Sequence, residues 1–245
     1  MTDITRVIDI DSCYNLRDTG GYPANGGTTR WRTLLRSASP HRMPAESWDG
    51  LHDLGVRTLI DLRRGSEATR ESYAAALHSA MRYQSLPLFD DDQYETVDRP
   101  AYDLPQLYQR LLVHCGDKFA TVLRTIASDP GPVLVHCAVG KDRTGMVIAL
   151  ALSAVGVAPA TIADDYALSN ALLDSLFGTF RVEVRDEFGD LDRLERFLES
   201  KRETMIDTLA HIDDEYGSVG SYLERIGLEA DAITALHHKL VVAPE

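Results

Sequence analysis

Within the stretch VLVHCAVGKDRTGMVIAL, residues 133–150, a thiol, an ammonium, a carboxylate and a guanidinium are crowded between two apolar runs. Cys137, Lys141, Asp142 and Arg143 fall within seven residues, with Gly140 among them. A loop leading from a buried strand into a helix aims successive backbone N–H groups into one concavity, backed by the positive end of the helix dipole. Here those groups belong to Ala138, Val139, Gly140, Lys141, Asp142 and Arg143, and the concavity suits a phosphate-like anion. Arg143 supplies a planar fork for two anion oxygens and stays charged at any working pH. Cys137 sits at the base, where the dipole and the cations favour its thiolate. A thiolate beneath a phosphoryl cradle is a nucleophile placed for attack, so the stretch predicts covalent phosphoryl transfer. A free cysteine merely buried beside a helix start would leave three charged residues in one turn without a reason.

Two His-Cys pairs, His114-Cys115 and His136-Cys137, raise zinc as a rival. Adjacent residues on a strand point to opposite faces, so neither pair converges well on one metal. His114-Cys115 reads instead as a helix end before Gly116. No metal site is predicted.

The elements that would hold the loop follow from periodicity. Val56–Asp61, Met81–Leu88 and Val133–Val135 read as buried strands, the last entered through Pro130-Gly131-Pro132. TGGYPANGGTTRWRTLLRS (19–37) reads as a turn-rich hairpin around Asn25-Gly26-Gly27. Helical spacing covers Pro44–Leu54, Ser66–Ala80 with Ser66 as cap, Leu104–Val113 and Lys118–Ser128. Everything after the loop reads as helix: Met146–Val155, apolar all round and therefore core, then Thr161–Leu173, Leu191–Leu209, Ser218–Ile226 and Ala230–Val241. The charge-rich stretch from about Phe180 to Lys201 reads as an exposed helical excursion. Strands alternating with helices give an α/β layer architecture.

Composition sets the outer bounds. The chain of 245 residues is 44% hydrophobic, enough for one sizeable core. Cys13, Cys115 and Cys137 are too few and too scattered for a disulfide framework, which points to a reducing compartment. The start lacks the features of a secretory signal, and no run approaches the roughly 20 apolar residues of a membrane span. A net charge of -13 argues against non-specific binding to nucleic acid or anionic membrane. These features together predict a cytoplasmic protein that concentrates positive charge locally around an anionic substrate.

Phosphoryl transfer needs one more group, because an alkoxide or phenolate leaves only with a proton and the later water must lose one. Asp61, at the carboxyl end of a buried strand, stands where the sites of α/β sheets gather. It suits a structural role equally well, orienting Arg63 or Arg143 or capping the next helix. Asp90, Asp91, Asp92, Asp98 and Asp103 have no distinctive setting. Arg36, Arg63 and Arg64 are candidates for a positive rim, and Arg17-Asp18 for a buried pair that fixes shape.

HCAVGKDRTG matches the H-C-x5-R-[ST] signature of cysteine-based protein phosphatases. NLRDTGGY (15–22), LLRSASP (34–40), IDLRRGSE (60–67), DYALSN (165–170) and GSVGSYL (217–223) extend the likeness. Over nearly its whole length the chain resembles the bacterial tyrosine and dual-specificity phosphatases with HCxxGKDRTG loops, a group that includes secreted, phosphoinositide-active members. The resemblance implies one domain over 1–245 with the protein tyrosine phosphatase-like fold, a central mostly parallel sheet flanked by helices. Within its helical C-terminal half, the charge-rich part at about 170–205 reads as a solvated surface helix or as a lid or insertion. It implies hydrolysis without metal or cofactor, with Cys137 as nucleophile and Arg143 and the loop amides on the phosphate. Asp142 becomes the proton carrier, with Asp61 as the alternative acid. His136 would set the surroundings of the thiol and Thr144 would offer a hydroxyl to the sulfur. Lys141 would add a cation at the rim, as in phosphatases that accept phosphoinositides, or support any phosphate. The implied substrate is a phosphotyrosine-containing protein, with phosphoserine, phosphothreonine and phosphoinositides as extensions. The group also leaves export without a cleaved signal open.

A phosphate-binding module without turnover would lack the nucleophile or the arginine, and both are present. A sulfurtransferase or arsenate reductase would lack the GKDRTG ending or show a resolving cysteine, and neither Cys13 nor Cys115 has an obvious pairing with Cys137.

Overall fold

The structure, a computed structural model, describes residues 5–73, 81–98, 103–188 and 197–244, with 179–188 as backbone only. Its strands are β1 (Arg17–Asp18), β2 (Pro23–Ala24), β3 (Gly27–Thr29), β4 (Leu34–Ser37), β5 (Thr58–Asp61), β6 (Arg82–Ser85), β7 (Val133–His136) and β8 (Val241–Val242). Its α-helices are α1 (Trp48–Asp53), α2 (Gly65–Arg70), α3 (Tyr94–Val97), α4 (Leu104–His114), α5 (Gly116–Ser128), α6 (Asp142–Ala154), α7 (Pro159–Ala167), α8 (Ser169–Phe188), α9 (Arg202–Tyr216), α10 (Val219–Arg225) and α11 (Ala230–Leu240). The five-stranded main sheet has the order β1-β4-β7-β5-β6, parallel except for β1. This is the expected α/β class with a central, mostly parallel sheet flanked by helices.

β7 lies at the middle and is buried along its whole length. A strand buried on both faces needs an apolar run rather than alternation, which Val133-Leu134-Val135 supplies. Successive side chains still diverge. Val133 and Val135 join the large core under α4, α5 and α6, while Leu134 joins the smaller cluster around Trp48 and Leu51 of α1.

Several elements differ from expectation. The hairpin is β2–β3, turning through Asn25 and Gly26, and Gly26 takes φ +80°, the left-handed region that glycine enters without a Cβ penalty. β4 leaves it to pair in parallel with β7. The second half is not wholly helical, since β8 closes a small sheet against β3. Helix α2 starts at Gly65 and ends at Arg70, and residues 74–80 of the expected helix lie outside the described residues. Arg64 precedes it, with Glu67 reaching back to the Arg64 N–H, and Ser66 bonds to Asp91 instead of capping. β6 is an edge strand with largely exposed side chains. Helix α4 begins where Asp103 accepts from Gln106 N and ends at His114, as read. The excursion expected near Phe180–Lys201, and the lid expected at about 170–205, lie partly outside the described residues. What is described there is α8, then Phe197 to Lys201 returning to the core with Leu198 and Ser200 buried. No helix of the described residues is long and apolar enough to cross a membrane.

Candidate active site

The strand ends align the site. In register, Ser37 of β4 and Asp61 of β5 both stand beside His136, so the loop leaving β7 emerges between 37–39 and 61–63. Gly140 takes φ +69°, and a Cβ there would lie 2.0 Å from the Ser37 carbonyl oxygen. Only glycine lets the loop pass so close to β4. Asn15 Nδ2 donates to the carbonyls of Val139 at 3.0 Å and Gly140 at 3.1 Å, and Arg36 Nη2 donates to Gly140 O at 2.8 Å. In a planar trans peptide the carbonyl and the next N–H point opposite ways. Fixing those two carbonyls from behind therefore turns the N–H groups of Gly140 and Lys141 the other way.

Arg143 lies in the first turn of α6. Its Nη1 and Nη2 donate to the two carboxylate oxygens of Glu67 at 2.7 and 2.8 Å. Glu67 had no place in the sequence reading, although a glutamate three residues after the start of a helix is a capping signature. Burial alone would raise the Glu67 carboxyl, yet the Arg143 hydrogen bonds and charge, with Arg64 adding, bring it down to about 2. Asp142 sits beside Arg143. Its Oδ1 accepts from the Tyr108 hydroxyl at 2.7 Å, and Tyr108 is in turn 2.6 Å from the Tyr166 hydroxyl.

The model of the tyrosine phosphatase family matches residues 8–242. The chain belongs to the tyrosine phosphatase family. A tyrosine-protein phosphatase from Nostoc commune is 28% identical over 84% of this chain and 74% of its own. A Cupriavidus necator protein assigned as a tyrosine-protein phosphatase is 30% identical over 94% of this chain and 87% of its own. A triple specificity protein phosphatase from Mycobacterium tuberculosis is 30% identical over 48% and 46%.

In this protein-tyrosine phosphatase the buried charges are arranged differently from the sequence expectation. Arg17 does not pair with Asp18, because neighbours on a strand face opposite ways. Arg17 Nε reaches Asp165 Oδ1 at 3.2 Å, while Asp18 accepts from the N–H groups of Gly20 and Arg32 at 2.9 and 2.8 Å. Nor are Arg36 and Arg63 rim cations. Arg36 is buried on Asp165 Oδ2 at 2.7 Å, and Arg63 is buried on Asp61. Arg64, at the edge, pairs with Glu67 and Asp91.

Lys141 is buried too. Its ammonium donates to the main-chain carbonyls of Phe197 and, at 3.0 Å, Glu199, and stands 3.3 Å from Asp142 Oδ1. A lysine with a free head at the rim would be solvated, whereas this one fastens the segment after α8 to the loop. Burial pulls its pKa down while Asp142 opposes.

A cavity of about 320 Å³ opens over the loop. Ala138, Val139, Lys141 and Asp142 line it, together with Glu67, Asp98, His41, Arg42 and Arg70. Leu176, Phe177, Leu198 and Tyr14 add an apolar wall, and Val139 packs with them. Asp98 is the residue the sequence did not single out. Burial pushes its carboxyl up, Arg143 pulls the other way, and Asp142 adds to the rise.

Asp61 stands apart from the cavity lining. It is fully buried, bonded by Arg63 Nη2 at 2.8 Å and by the Tyr83 hydroxyl at 2.9 Å. His136 is buried with Nε2 2.6 Å from the Tyr73 hydroxyl and Nδ1 3.1 Å from the Cys137 carbonyl; burial lowers its pKa. Thr144 is buried and its hydroxyl has no hydrogen-bond partner among the described residues, so the bond to the sulfur considered from the sequence is not made. Burial pushes the Cys13 and Cys115 thiols up to about 12.

Proposed function

We propose that the chain hydrolyses phosphomonoesters through a phosphocysteine, with phosphotyrosine in proteins as the main substrate class and dual specificity as its extension. The observation that carries this is Arg143, fixed by Glu67 over the loop that starts at Cys137. In the first step the Cys137 sulfur attacks phosphorus, an S–P bond forms and the P–O bond to the leaving group breaks. Arg143 and the amides from Ala138 to Arg143 hold the equatorial oxygens through a loose transition state. The departing oxygen takes a proton from a carboxyl group. In the second step water attacks phosphorus, the S–P bond breaks, the thiolate is restored, and the carboxylate takes the proton that water loses.

Asp142 is the preferred proton carrier. It lines the cavity beside Arg143, and Tyr108 orients it. Asp61 has both oxygens occupied, by Arg63 and by the Tyr83 hydroxyl, which favours the structural role for it. Asp98 supports a second reading of the acid, since a half-buried carboxyl whose desolvation outweighs the pull of Arg143 retains its proton more readily. His136 would then serve shape, joining the Cys137 carbonyl to Tyr73. Lys141 bonds to two carbonyls rather than holding a free head at the rim, which supports phosphotyrosine over phosphoinositides as the main substrate, and the apolar wall suits an aryl group. We read residues 1–245 as one such domain. Three free thiols support a reducing, cytoplasmic location.

The test is a panel of phosphotyrosine, phosphoserine and phosphoinositide substrates, assayed with chelator and without divalent metal, beside Cys137→Ser. Phosphotyrosine turnover that disappears in Cys137→Ser is expected. Undiminished turnover in that variant, or dependence on added metal, would overturn the reading.

A further inference from the structure

Behind the phosphate loop lies a buried cluster of charge that does not line the cavity. Asp165 of α7 accepts from Arg36 Nη1 at 2.7 Å, Arg17 Nε at 3.2 Å and the Tyr22 hydroxyl at 3.0 Å. Arg17 in turn holds Asn15, donating to its main-chain oxygen at 3.1 Å and to its side-chain oxygen. Asp165, Arg17 and Arg36 are each 1% exposed or less. Taking three charges out of water is costly, and apolar side chains of similar volume would often fill such a space with no loss of stability. Shape alone is therefore a poor reason for the cluster. Its two outlets supply a better one. Arg36 ends on the Gly140 carbonyl, and Asn15 ends on the carbonyls of Val139 and Gly140.

We propose that Asp165 is a positioning residue for phosphoryl transfer. Through Arg36 and through Arg17–Asn15 it sets the rotation of the Val139 and Gly140 peptides, and thereby aims the N–H groups of Gly140 and Lys141 at the anion. The neighbouring Tyr166 reaches Asp142 through Tyr108. One turn of α7 thus governs the loop from behind and its carboxylate from the side. The inference rests on the reading of the loop as an anion cradle.

The test measures tungstate binding by calorimetry in the Cys137→Ser protein, where turnover cannot interfere, and adds Asp165→Asn or Tyr22→Phe, with a thermal melt of each. Losing hydrogen bonds to a charged group should weaken tungstate by about 10- to 100-fold in Asp165→Asn, and losing the single tyrosine bond by about 3-fold in Tyr22→Phe. In the cysteine-containing protein kcat/KM should fall in the same order. If Asp165→Asn fails to fold, Tyr22→Phe decides, because it leaves the arginines in place. Variants that melt earlier but bind tungstate within about twofold of their parent would assign Asp165 to stability alone and overturn the inference. A parent that binds no tungstate would remove the cradle reading itself, a different failure from an unaffected variant.

Discussion

Arg143 meets Glu67 through both arms of its guanidinium, Nη1 to Oε2 at 2.7 Å and Nη2 to Oε1 at 2.8 Å. A bidentate pair of this kind fixes the plane of the fork as well as its position. The remaining N–H groups are thereby set before any substrate arrives, which is the condition for electrostatic stabilisation without reorganisation.

Glu67→Gln should therefore cost activity more than it costs structure. Losing the charge-assisted pair should lower kcat/KM by about 10- to 100-fold, through hydrogen bonds of roughly 1.5–3 kcal/mol. Steady-state kinetics beside circular dichroism would check this, and wild-type kcat/KM in a folded variant would count against it.

The same carboxyl gives a pH signature of stability. Its folded value of about 2 lies below its ordinary 4.5, so its contribution is complete above 4.5 and is lost as pH falls toward 2. Urea unfolding between about pH 5 and 3 should show wild type losing stability faster than Glu67→Gln. Parallel curves would refute the assignment.

Asp142→Asn should slow aryl phosphates with poor leaving groups far more than those with good ones, because only the former need the proton in the transition state. Asp98→Asn serves as the comparison. If it alone shows that dependence, and with it loses a fall in rate as pH rises through a raised carboxyl value, Asp98 is the acid.

Lys141→Met keeps the bulk but drops the ties to the carbonyls of Phe197 and Glu199. With Leu198 and Phe177 freed from the loop, KM for aryl phosphates should rise more than kcat falls, by several-fold or about 1 kcal/mol. A fall in kcat with KM unchanged would place the ammonium in the chemistry instead.

All three thiols are buried, but burial pushes those of Cys13 and Cys115 up to about 12, and only Cys137 lies at the start of the proposed anion cradle, so iodoacetate, an anion, should alkylate Cys137 first. Peptide mapping after brief labelling, with and without inorganic phosphate as protectant, would check it. Labelling spread evenly over the three would contradict the site.

Much of this was legible in the chain because it is local. The β7 run, Gly140 and the His136–Thr144 motif are one continuous stretch, so its strand–loop–helix context followed from order alone. Side-chain partners were less accessible. The sequence suggests Asp18 for Arg17, whose partner lies 148 residues away, and a cation at the rim for Lys141, whose ammonium the chain covers where it returns at Phe197. Glu67 carries a capping signature, but its bond to Arg143, like the setting of Asp98, arises only from proximity in the fold. Long-range pairing leaves no periodic trace, whereas a buried strand or a helix face does.

Burying Arg17, Arg36, Arg63 and Lys141 also shapes how a substrate arrives. A chain of net charge -13 projects a repulsive field toward a phosphorylated partner, and these buried, paired cations present no charged face at the surface to offset it locally. Association should then quicken as added electrolyte damps the far field, the opposite of a protein that draws in anions from a distance.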